Sequence, residues 1–533
     1  MGKRVVLVFS LMLLTLGGVM ARLAQINNGS GIFTTAGDGA KTTVTVSRQR
    51  GTIYDRNHTP LVNTETEYRV CVAPYATELS EMMELLSNDQ QIAVAKRLQT
   101  GRPAVQTVPQ LLSGTEGILQ FVTKSRYGKH LLAPHVIGYV GNDGVTGLSG
   151  IEAAFNERLN AAFGVLSVSY TVDGTGVPLK GIRPEITDTR EKSDEGVVLT
   201  LDSTLQRVAE MVASDCLPRG AVVIMEPKSG EILASVSRPD FQPNTIGTLL
   251  NEPTAPLLNR VLSNYNCGSV FKIVTAAAAL ENGVSPEQVY TCAGHVTVGD
   301  TVFYCHNKLG HGALDMQEAF AQSCNCYFIQ LAAQIGSVPV RQMAVALGFD
   351  TSYALAGTLG TACASLPTAA ELTLPAELAN LSFGQGSLLA TPVHVARMLT
   401  AVVGNGVLQT PTLFRGYRQA NGADILAEPT APVTVFSERT AAYLQAFMCH
   451  TVNAGSGKAA MPKQGGAAGK TGTAETGWIQ NGSDVVQSWF AGYYPAVNPR
   501  YIIVVLAEDK NNTGAVAAPI FKKMCDALEE VSE

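Results

Sequence analysis

Residues 267–283, Cys-Gly-Ser-Val-Phe-Lys-Ile-Val-Thr-Ala-Ala-Ala-Ala-Leu-Glu-Asn-Gly, are apolar almost all round. Alanine and leucine favour a helix, no proline interrupts the run, and Asn282-Gly283 supplies a stop. A helix without a polar face belongs in an interior, so the fold has to be built around this one. Yet Ser269 and Lys272 sit in its first turn. Residues three apart on a helix share a face, so hydroxyl and amine point into the same space. At a helix start the serine has free backbone N–H groups beside it and a partial positive charge behind it. The lysine has no polar face to rest on, and burial makes it shed its proton by desolvating the charged form. A neutral amine next to a hydroxyl is a nucleophile with its own base. Taken alone, the same spacing also describes a helix cap and a solvated cation.

Two further motifs weigh against that plainer reading. Ser323-Cys324-Asn325 falls between two helices, one capped by Asp315 with Glu318 and one over residues 327–335. At such a turn short polar side chains face a cleft: Ser323 can relay a proton, and Asn325 offers both donor and acceptor to a peptide backbone. Gly469-Lys470-Thr471-Gly472-Thr473 reads as a strand. Glycine inside a strand marks close approach by another backbone, and Lys470, Thr471 and Thr473 supply the cation and hydroxyls a carboxylate needs. The N–H groups of Ser269 and Thr473 are a candidate oxyanion hole. A plain turn and an ordinary edge strand are the structural alternatives.

Around these motifs the chain divides in three. An apolar run over residues 5–21 behind Lys3-Arg4 reads as a membrane anchor (1–26) oriented with its N-terminus in the cytoplasm, or as a signal cleaved after Val19-Met20-Ala21. A Gly/Ser/Thr/Asn-rich linker over 27–41 opens an extended α+β module reaching residue 195, with a short strand between Gly51 and Asn57, Arg/Asp pairs suggesting salt-bridged scaffolding, and a helix over 77–98. From 196 onward, Asp202 caps a helix, strands 221–226 and 231–237 form a hairpin, helices follow, and strands 467–473, 486–493 and 501–508 precede a last helix over 519–530. Strands at both ends with helices between them predict one mainly antiparallel, five-stranded sheet flanked by helices, an α+β domain. With 533 residues and 15% charged side chains the chain is an ordered multidomain protein. A net charge of −6 gives no electrostatic case for nucleic acid, and 10 cysteines are too few for a disulfide scaffold.

Ser-x-x-Lys, Ser-x-Asn and Lys-Thr-Gly in this order resemble the signature of penicillin-binding proteins and serine β-lactamases. Arg50-Gly51-Thr52-Ile53-Tyr54-Asp55-Arg56-Asn57, Gly150-Ile151-Glu152 and Thr200-Leu201-Asp202 look like the N-terminal module of the class B, monofunctional members. Gly384-Gln385-Gly386 followed by Thr391-Pro392 resembles that class too. The resemblance implies a peptidoglycan D,D-transpeptidase. Ser269 would be the nucleophile, Lys272 the base and Ser323 a proton shuttle. Asn325 would orient the peptide, and Lys470, Thr471, Gly472 and Thr473 would line the carboxylate site. Its substrates would be stem peptides ending in D-Ala-D-Ala, and β-lactams would acylate Ser269. It implies no metal or cofactor, a single-pass protein of the cell membrane with its catalytic part outside, and a membrane glycosyltransferase as partner. The alternatives are a D,D-carboxypeptidase or β-lactamase, and a non-catalytic penicillin-binding receptor or scaffold. Cys267 stands where the family commonly has proline, and Cys324 fills the variable middle of the second motif.

Cys292, Asp300, Cys305, His306 and His311 crowd the stretch before that motif. Their types suit zinc, although the spacing fits no familiar pattern. A Cys292–Cys305 disulfide is a second reading, and unligated side chains are the plainest one.

Overall fold

The computed structural model describes residues 12, 15–19, 40–480, 483–509 and 516–531. The anchor expected over 1–26 lies largely outside the described residues, as does the first part of the linker. Among the described residues no helix is long and apolar enough to cross a membrane. The chain forms two compact units.

The smaller unit comprises Met1–Gln49, Glu65–Ser125 and Gly164–Arg190. It holds two three-stranded antiparallel sheets, one ordered Lys41–Gln49, Gly164–Thr171, Glu185–Asp188 and one ordered Ala104–Val108, Glu65–Val72, Ile118–Ser125. The helix expected over 77–98 is two helices, Ser80–Glu84 and Asn88–Gln99. The break has a local cause: Ser87 and Gln90 form a capping box that starts the second helix afresh.

The larger unit comprises Arg50–Thr64, Arg126–Phe163 and Glu191–Glu533. Its centre is the expected five-stranded sheet, antiparallel throughout, in the order Ile232–Arg238, Gly220–Met225, Tyr501–Asp509, Ser483–Tyr494, Ala468–Gln480. Alternate residues on a strand face opposite sides, and this sheet is apolar on both. Ala221, Val223, Met225, Ile502, Val504 and Leu506 enter one core; Val222, Ile224, Ile503 and Val505 enter the other. Helices Ser203–Cys216 and Ala517–Glu530 cover the second face; Lys272–Glu281 and Pro392–Val403 lie in the first core. Asp202 caps the first of these, accepting from the N–H groups of Thr204 and Leu205, and Thr391 caps Pro392–Val403.

The expected Arg/Asp scaffolding around residue 50 has a different pairing. Arg50 and Arg126 both reach the fully buried Glu152, at 3.2 and 2.7 Å. Asp55 instead accepts from the backbone N–H groups of Asn57, Thr59 and Ser203. A carboxylate surrounded by N–H donors closes a turn without needing a cation.

Candidate active site

The buried helix begins tighter than expected. Gly268–Phe271 is a 3-10 turn, and α-helix proper runs Lys272–Glu281. In a 3-10 turn side chains three apart eclipse one another, which brings Ser269 and Lys272 closer in angle than an α-helix would. Gly268 makes the turn possible. Its φ is +54°, and a Cβ there would lie 2.6 Å from the Thr473 carbonyl oxygen. The backbone of the first motif therefore abuts that of the third.

Lys272 is fully buried, and its Nζ lies 3.0 Å from Ser269 Oγ. The same nitrogen donates to the Ser323 carbonyl at 2.6 Å and to Asn325 Oδ1 at 2.7 Å, with Ser323 Oγ at 3.2 Å. Burial, the largest influence, lowers its pKa to about 7, against an opposing pull from the thiols of Cys324, Cys305 and Cys326. Phe328 packs its ring 5.6 Å from the amine and helps keep water away.

Ser323 ends the helix Met316–Ala321 with a left-handed φ of +55°, and Asn325 begins the helix Asn325–Ile335. A left-handed non-glycine residue persists only where its surroundings hold it. Two amines hold this one: besides Lys272, Lys470 donates to Ser323 Oγ at 2.9 Å and to the Thr471 carbonyl at 3.0 Å. Lys470 lies on the edge strand but is fully buried. It shares a face with Ala468 and pairs in register with Ala491, both in the core that contains the Ser269 helix. Desolvation, then the charge of Lys272, lowers its pKa well below the ordinary lysine value. Gly472 lies against the first motif, where a Cβ would meet Val270 and the Cys267 carbonyl at 2.9 and 3.0 Å.

Ser269, Ser323, Asn325, Thr471 and Thr473 open onto one cleft of about 810 Å³, with Lys272 and Lys470 buried behind its wall. All eight residues singled out from sequence thus converge on one place, drawn from the central helix, an interhelical turn and an edge strand. Gly384, noted in the sequence only for its resemblance to the class, accepts from Gly268 N–H at 3.0 Å through its carbonyl; sequence reasoning missed Ser456, whose Oγ is 2.8 Å from Thr471 Oγ1. It also missed Tyr304 and Glu475 on the cleft wall. None of these carries a spacing signal relative to the motifs. Chemically the arrangement is a hydroxyl with an adjacent deprotonable amine, a second hydroxyl bridging two amines, and polar walls: the equipment for acyl transfer.

The cysteine-rich stretch also closes up beside this cleft. Cys292, Cys305, His311 and Cys324 place one donor atom each within 4.8 Å of all the others. Asp300 sits in the exposed turn between strands His295–Val298 and Thr301–Tyr304, away from the group, and His306 Nδ1 lies 3.9 Å from Cys305 Sγ. Every cysteine is a free thiol, so Cys292 and Cys305 are not joined.

A serine hydroxyl beside a buried amine on a helix-flanked antiparallel sheet narrows the class, and comparison with known proteins narrows it further. Residues 220–526 match the family described as penicillin binding protein transpeptidase domain. Peptidoglycan D,D-transpeptidase PbpA of Mycolicibacterium smegmatis is 30% identical over 60% of this chain and 70% of its own. Peptidoglycan D,D-transpeptidase MrdA of Salmonella typhimurium is 25% identical over 99% of this chain and 96% of its own. The D,D-transpeptidase domain of a peptidoglycan glycosyltransferase from Eggerthella lenta superposes with a TM-score of 0.66 at 25% identity, over 91% of this chain and 99% of that one. The chain belongs to the penicillin-binding protein transpeptidase family, among its class B members.

Proposed function

We propose that this protein is a peptidoglycan D,D-transpeptidase working through an acyl-enzyme on Ser269. Ser269 Oγ attacks the carbonyl carbon of the penultimate D-Ala of a stem peptide, and its proton passes to the neutral Nζ of Lys272. The N–H groups of Ser269 and Thr473 stabilise the oxyanion. The C–N bond to the terminal D-Ala then breaks. Its departing nitrogen takes a proton relayed from Lys272 through Ser323, and D-Ala leaves. An amine on a neighbouring stem attacks the ester, loses a proton along the same route, and releases Ser269 with a new amide cross-link. Asn325 orients the peptide, and Lys470, Thr471, Gly472 and Thr473 form the subsite for the terminal carboxylate. A β-lactam follows the first half of this sequence and stops at the acyl-enzyme.

The observation that carries this reading is the chain of contacts Ser269 Oγ–Lys272 Nζ–Ser323 Oγ–Lys470 Nζ, at 3.0, 3.2 and 2.9 Å. It joins the three motifs into one proton path. The protein acts outside the cytoplasmic membrane, anchored through residues 1–26, with residues 27–195 as supporting module, residues 196–533 as catalytic domain, and a membrane glycosyltransferase as partner. In an assay with glycan strands bearing pentapeptide stems, the wild-type chain should release D-Ala and form cross-linked dimers, and Ser269→Ala should form none. Dimers from Ser269→Ala at the wild-type rate would contradict the assignment.

A further inference from the structure

We propose that Glu475 is a specificity-determining residue: its carboxylate binds the side-chain ammonium that the donor stem carries in the residue before its D-Ala pair. The assignment rests on the transpeptidase reading and extends the same cleft by one subsite. Among the described residues lining the cleft, Glu475 is the one carboxylate; the basic groups there, His306 and Lys308, come from a different segment. The Glu475 side chain is exposed and makes no ion pair or hydrogen bond to a described residue. Side chains two apart on a strand face the same way. Thr471, Thr473 and Glu475 accordingly open onto the cleft, while Lys470, Gly472 and Ala474 are buried. Pairing with Ser483–Tyr494 stays in register up to Glu475–Val486 and shifts before Ile479–Asp484. The regular edge offered to a substrate thus ends at this glutamate. Asn266, three residues before Ser269, fixes that end relative to the nucleophile. Its Nδ2 donates to the Glu475 carbonyl at 3.3 Å, and its own carbonyl accepts from Trp489 Nε1 at 2.9 Å.

The direction of the substrate decides which amine this carboxylate meets. On the transpeptidase reading, the terminal carboxylate is held at Lys470 and Thr471, and the scissile carbonyl at Ser269 and Thr473. The rest of the donor then runs onward past Thr473, away from Thr471. Glu475 lies two residues further, about 6.7 Å along the strand. A flexible four-carbon side chain with an ammonium at its end spans that gap. The acceptor amine, by contrast, has to enter where the D-Ala nitrogen left, on the Thr471 side of Ser269. Donor and acceptor are copies of one stem, so the donor carries the same amine that the acceptor uses. Because Glu475 is exposed, water and salt screen the pair, and its effect is about fivefold rather than hundredfold.

Two donors test this on the full-length protein: a depsipeptide with lysine before D-Ala-D-lactate, and its Nε-acetyl form. Both keep the terminal carboxylate, and each should acylate Ser269 with release of D-lactate, followed by intact mass spectrometry with no acceptor present. Wild-type protein should react with the lysine donor about fivefold faster in second-order rate, and the preference should shrink at high salt. Glu475→Gln should bring the ratio close to one, and Glu475→Asp should keep part of it. Equal rates for the two donors in wild-type protein overturn the assignment, whether or not the variants fold. An undiminished preference in folded Glu475→Gln overturns it too. If that variant keeps the donor preference but slows capture of the acyl-enzyme by an added lysine peptide, the ammonium bound there is the acceptor's, and the donor assignment falls. Failure of both donors to acylate Ser269 contradicts the transpeptidase reading and the subsite with it; equal acylation by both contradicts the subsite alone.

Discussion

A neutral amine has two N–H bonds to give and one lone pair to accept with. Around Lys272 Nζ, the Ser323 carbonyl and Asn325 Oδ1 can only accept, so they take the two N–H bonds. The lone pair is left for the hydroxyls of Ser269 and Ser323. An ammonium would lose that lone pair and would sit close to Lys470, another buried amine bonded to the same serine. Lys272→Ala should therefore fold and lose about 10²–10⁴ in acylation rate, read by fluorescent penicillin; acylation at the wild-type rate would refute its role as base. The pH dependence has a definite sign. The amine acts when deprotonated, so acylation should rise as pH passes upward through about 7 and level off above it. The groups facing it are Lys470 and the thiols of Cys305, Cys324 and Cys326. A rate flat across that range would contradict a titrating base. Spacing made the Ser269–Lys272 pair legible in the sequence, because three residues apart is a local relation. The contact of Lys470 with Ser323 spans 147 residues and was legible only through the motif order.

At the scale of elements, the largest departure from the sequence reading is the 3-10 start of the central helix. Alanine content and the stop at Asn282-Gly283 mark the helix body, but neither reports the tight turn. Gly268 does, since a positive φ against the Thr473 carbonyl suits glycine alone. Gly268→Ala should lower stability by about 1–3 kcal/mol and cut penicillin acylation, checked by thermal melting and labelling; a variant as stable and reactive as wild type would show that the close approach does not matter. The cluster of Cys292, Cys305, His311 and Cys324 was legible in three of its four residues. Cys292, Cys305 and His311 stood out by type, but Cys324 looked like the filler of its motif, because only folding two short hairpins against a helix start brings it to them.

At the scale of the molecule, the larger unit takes the chain three times, and Glu152 belongs to its second passage. Two arginines from different passages converge on that buried carboxylate. Removing one partner of a buried ionic group leaves charge uncompensated, so Glu152→Ala should cost about 3–5 kcal/mol, read by denaturant unfolding; a loss below about 1 kcal/mol would contradict a structural role. That the strands form one antiparallel sheet was readable from where they lie in the chain, and the hairpin over residues 221–237 from its local turn; the pairing of Gly220–Met225 with Tyr501–Asp509, far apart in sequence, was not. The pairing of Arg50 was not, because nothing near it in sequence announces Glu152. The central claim is that these passages assemble one acyl-transfer centre on Ser269. Peptide mass spectrometry after incubation with penicillin tests it most directly. One covalent penicillin on the peptide containing Ser269, absent from Ser269→Ala, is the predicted result; an unmodified Ser269, or the adduct on another residue, would contradict it.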